Sequence, residues 1–95
     1  MPVSQQYQLQ IGKLKELIAY LNHFETEVQK AVAGYRNKIS ALLEQGLPAE
    51  VGQKVLNDFY QQSKNQADKN SAIVKDQTIP YIAHNVKSLE QLIGR

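Results

Sequence analysis

Ninety-five residues, eleven Lys and Arg against nine Asp and Glu, and a formal charge of +2 describe one small domain, and a chain of this size buries only about 60–65% of its unfolded surface. The two signs are interspersed without a basic cluster, which argues against nucleic acid and against charge-driven membrane binding, and no stretch approaches the eighteen apolar residues of a membrane span. The absence of cysteine excludes disulfides and thiolate chemistry, so redox gives no address. Twelve glutamines, no tryptophan and two phenylalanines indicate a polar helical protein with an aliphatic core.

The first element is a long helix, predicted over about residues 5–45. It starts between Val3 and Gly12, with Ser4 as a candidate N-cap and Gly12 weakening the opening turns. Ten positions follow alternating three- and four-residue steps, and nine are apolar: Ile11, Leu14, Ile18, Leu21, Glu25, Val28, Val32, Tyr35, Ile39 and Leu42. This is a heptad seam, and Leu17, Phe24 and Leu43 widen one edge of it into a broad face that needs a partner. Glu25, the one charge in the seam, reads as a rim glutamate whose stem packs while its head reaches water or a lysine. Gly34 suits either a close helix crossing or an outward surface position.

The turn is predicted at about residues 46–50. Gly46 suits the left-handed position after a helix, Leu47 can fold back as the apolar contact of a Schellman stop, and Pro48 and Glu50 prepare the next helix. So short a link makes the two helices antiparallel, a helical hairpin. The second helix, about 51–93, opens with Val55, Leu56, Phe59 and Tyr60. Residues 61–71 then read QQSKNQADKNS, with Ala67 the single apolar residue. Two arrangements fit this stretch: Ser63, Ala67 and Ser71 turned inward, or a register-setting polar layer of Asn65, Gln66 and Asn70. The stripe resumes at Ala72, Ile73 and Val74, then shifts phase to Ile79, Ile82, Val86, Leu89 and Ile93. Pro80 lies at the shift, which predicts a kink, or a stop and restart capped by Asp76 or Thr78.

No residue cluster carries catalytic or metal-binding chemistry. His23 and His84 fall on outward positions, no His pair or Glu-x-x-His is present, and the five glycines are scattered singly, so no catalytic, cofactor or metal site is expected.

The segments IGKLKELIAYLNHFETEVQKAVAGYRNKISALL, EQGLPAEVGQKVLNDF and TIPYIAHNVKSLEQLI together cover about residues 11–93. In length and layout they resemble the ESAT-like, WXG-type helical hairpins of type VII secretion. The family's Trp-x-Gly turn corresponds to Glu50, Val51 and Gly52, followed by Val55, Leu56 and Phe59, with the tryptophan missing. The family's export signature, Tyr-x-x-x-Asp or Glu, is also absent, since Tyr60 is followed by Lys64 and Tyr81 by Asn85. The resemblance implies a non-enzymatic protein that is secreted itself or escorts a secreted effector, located in the bacterial cytoplasm. Met1 to Gln10 lacks the features of a secretory signal peptide, so any export would bypass the general route. The partner is a second copy or a related helical protein, paired into a four-helix bundle, or the helical domain of an effector, with neither nucleic acid nor membrane involved. The apolar stripe equally accommodates an intracellular coiled-coil adaptor or a small immunity-type inhibitor.

Overall fold

The computed structural model describes residues 3–94, which are almost entirely helical and contain no strand. Helix α1 runs Val3–Glu44 without interruption. It passes through Gly12 and Gly34, where an added Cβ would meet nothing within 4 Å, so Gly34 is an outward surface glycine and marks no helix crossing. Ser4 lies inside the first turn instead of preceding it.

Helix α1 stops because Gly46 takes φ +113°, a conformation that costs a side-chain-bearing residue about 1–2 kcal/mol. Leu47 N–H then reaches the Leu42 carbonyl at 2.8 Å and Gly46 N–H reaches that of Leu43 at 3.5 Å, the paired bonds of a Schellman stop. The chain re-enters a helix after Pro48, and α2 spans Ala49–Lys54.

The second arm is kinked and contains two π-helical turns. After α2 come a π turn over Val55–Tyr60, helix α3 at Gln61–Ile73, a second π turn over Val74–Thr78 and helix α4 at Ile79–Ile93. A restart at Pro80 does not occur: Thr78 (φ −67°, ψ −54°) and Ile79 (φ −63°, ψ −46°) stay helical, and neither Thr78 nor Asp76 caps a new helix. The Thr78 hydroxyl instead donates to the Ile73 carbonyl, five residues back, at 3.3 Å. Five-residue spacing is that of a π turn, whose wider loop relieves the clash a proline ring makes with the preceding turn. It also brings Val74 and Ile79, five positions apart, onto one inward side, which accounts for the phase shift in the sequence.

The described residues pack as two compact units. The unit of residues 25–71 contains the turn. Within it Leu43 lies against Gly52, Tyr35 against Tyr60 and Glu25 against Ser71, so the two arms run antiparallel. The other unit joins the described residues up to Phe24 with those from Ala72 onward. Its buried apolar residues are Ile11, Ile82 and Val86, while Ile39 and Tyr60 serve the turn-containing unit. That core is thin, because fully burying one such side chain contributes only about 1.5–3 kcal/mol.

Candidate interaction surface

The turn residues divide by role. Gly46 supplies the positive φ and Pro48 precedes α2. Gly52 is buried against α1: a Cβ there would overlap Leu43 Cδ2 and lie 2.8 Å from its Cγ, so Leu43 would have to leave its rotamer or the arms would have to part. Val55 is half-buried, whereas Val51 and Phe59 face outward, with the Lys54 ammonium 5.8 Å from the centre of the Phe59 ring.

Along α1, Ile39 is buried, and Leu14, Ile18, Leu21, Val28, Val32 and Leu42 are half-buried. On the second arm Ile82 and Val86 are buried and Leu89 half-buried. Tyr35 lies at the edge of the seam, where its ring meets that of Tyr60 edge-on at 5.4 Å and 69°. Such a pair contributes about 0.5–1.5 kcal/mol beyond its buried area.

Glu25 is not a rim residue. It is 5% exposed, and its carboxylate accepts a hydrogen bond from the hydroxyl of Ser71, itself 6% exposed. Of the three small residues in the polar stretch, Ser71 is buried, Ala67 half-buried and Ser63 exposed. Asn65, Gln66 and Asn70 face outward, with Gln66 Nε2 donating to Asn70 Oδ1 at 3.1 Å, so they build no internal layer. The signal for Glu25 was present in the sequence as a charge at the middle of an apolar seam. Its partner lies 46 positions away and only the fold identifies it.

Exposed apolar side chains occur along both arms, and three of them fall together on a flank of α1. Leu17, Tyr20 and Phe24 are spaced by three and four residues, so they lie on one side of the helix. They are 44%, 60% and 45% exposed. Tyr20 and Phe24 stack at 6.3 Å with an interplanar angle of 21°. These three side chains therefore form a contiguous apolar strip beside the seam, and sequence reasoning left Tyr20 out of it.

Among the described residues, no three His, Cys, Asp or Glu side chains come together as metal ligands, and no helix is long and apolar enough to cross a membrane. His23 and His84 are exposed.

The family described as Caulimovirus coat protein, conserved domain, matches residues 4–92. No curated protein and no solved structure matches the chain. The family match overturns the reading as an ESAT-like, WXG-type protein of type VII secretion, and with it the bacterial cytoplasmic location and the secreted effector as partner. The adaptor and immunity-type readings fit it no better. The physical reason for the error is plain: a heptad stripe, a glycine-proline turn and a second helix specify a shape that unrelated proteins share.

Proposed function

Starting from a chain that belongs to the Caulimovirus coat protein conserved-domain family, we propose a non-enzymatic structural role in which the protein works by associating with copies of itself. The elementary step is the pairing of two copies into a four-helix bundle. The observation that supports this reading is the strip of Leu17, Tyr20 and Phe24 next to a thin internal core. A contiguous apolar surface costs free energy in water, and its burial against a second copy recovers about 25 cal/mol per Å². A two-fold arrangement would use the same strip on both partners. The interspersed charges leave the strip free of a single-sign field that would keep copies apart.

Light scattering after size exclusion tests the reading. The expected mass is about twice the 10.7 kDa of one chain, or a higher multiple. Leu17→Asp with Phe24→Asp should return it to one chain mass while far-UV circular dichroism stays helical, because both side chains are half exposed in the single copy. A wild-type protein that remains at one chain mass at ~100 µM, a concentration at which weak specific pairs with Kd near 10 µM would be mostly formed, overturns the proposal.

A further inference from the structure

The π turn at Val55–Tyr60 borders a groove between the two arms. Together with α1 and the start of α3 it shapes this groove, which is about 200 Å³ in volume and lined by Arg36, Leu56, Asn57, Tyr60, Gln61 and Lys64. Single π turns inside α-helices occur frequently at functional sites, since the extra residue pushes backbone and side chains out of the regular pattern. Here Leu56 forms an apolar wall and Asn57 and Gln61 supply amide donors. Arg36 and Lys64 bring positive charge from opposite arms.

The two cations are not equivalent. Lys64 is held above the usual lysine range, first by its hydrogen bond to Asp68 at 3.0 Å and then by the charge of that carboxylate, while Arg36 acts on it in the opposite direction. Lys64 is thus already neutralised by a neighbour. Arg36 makes no ion pair among the described residues. Its guanidinium offers a planar fork of donors matched to an oxyanion.

We propose that this groove receives a carboxylate side chain from a second copy of the chain, with Arg36 as the anchoring cation. The inference rests on the self-association proposed above and locates one polar anchor for it. Charge matching selects the occupant. Arg36, Lys64 and Asp68 sum to a single positive charge, which a carboxylate balances, whereas a phosphodiester backbone would bring repeated negative charge up against Asp68. Size agrees, because the groove is smaller than the roughly 300–1,000 Å³ of small-molecule sites and admits about one side chain. Exposed carboxylates outside the ion pairs of the chain, among them Glu44 and Glu50, are available to fill it.

Sedimentation equilibrium of the full chain tests the proposal with Arg36→Gln and Arg36→Lys at low and high salt. Arg36 is exposed in the single copy, and circular dichroism verifies that the variants remain helical. R36Q should weaken association about tenfold at low salt, R36K should fall between R36Q and wild type, and the wild-type advantage should shrink at high salt as the pair is screened. Undiminished association of R36Q overturns the groove and leaves self-association through the apolar strip intact. A wild-type chain that does not associate overturns both. A fluorescent single-stranded oligonucleotide provides the last arm: if it binds wild type and not R36Q while R36Q still associates normally, the groove takes phosphates and the carboxylate assignment is wrong.

Discussion

The Ser71 hydroxyl donates to the Glu25 carboxylate inside a helix pair whose other inward positions are largely apolar. Taking a carboxylate out of water is costly unless it is hydrogen-bonded, so the pair has little net stabilising value but penalises any register that separates its members. A slip of the second arm by one helical turn would bring Ala67 or Val74 opposite Glu25 in place of Ser71. The contact therefore selects one alignment of the hairpin in the turn-containing unit.

A double-mutant cycle in urea measures that selection. Ser71→Ala alone should destabilise the protein by about 1–3 kcal/mol, the cost of leaving a buried polar group without its partner. In the Glu25→Leu background the same change should cost clearly less, and the double variant should be about as stable as wild type. Additive effects within about 0.5 kcal/mol would show that the two side chains are not coupled.

Gly52 gives a steric prediction. Gly52→Ala places a methyl group on the Leu43 branch, which forces Leu43 out of its rotamer or the arms apart near the turn and should cost about 1–3 kcal/mol despite alanine's better helix propensity. Leu43→Ala in the same chain removes the obstruction. The expected result is that Gly52→Ala becomes harmless or mildly favourable in that background, read from urea midpoints, and an unchanged penalty would refute the contact.

Pro80 and the second π turn form a linked pair. Pro80→Ala restores a backbone N–H and removes the ring, so the ordinary four-residue pattern can compete with the wider turn. Losing the π turn would rotate the following face and expose Ile82 and Val86. Amide exchange of residues 81–93 should accelerate, while residues 25–71 keep their protection. Equal protection of 81–93 in both forms would mean that the proline does not maintain the turn.

The α1 seam can be checked by contrast with its outer face. Leu21→Asp or Val28→Asp puts an unpaired charge among apolar side chains and costs several kcal/mol, comparable to the whole stability of a small domain. His23→Ala, on the exposed side, should shift the melting temperature by little. A large loss from His23→Ala would reverse the assignment of faces on α1.

The three- and four-residue spacing from Ile11 to Leu42 was sufficient to specify an all-α chain with a long first helix, because a stripe of that period is apolar on one side only when wound as a helix. Pro80 was sufficient to mark a kink or a restart in the second arm, since its constraint is covalent and local, and the helical backbone at Thr78 and Ile79 decided between them. The second π turn was visible only as the phase shift from Val74 to Ile79, which did not reveal its form, and the first, at Val55–Tyr60, left no comparable mark. Not legible either was the fate of Glu25, whose burial depends on Ser71 arriving opposite it, or the groove at Arg36, which exists only where the Val55–Tyr60 turn meets α1. Local rules act over one or two helical turns, and they determined the elements by themselves. Which side chains meet across the hairpin was decided by packing between distant segments, and that choice belongs to the tertiary structure alone.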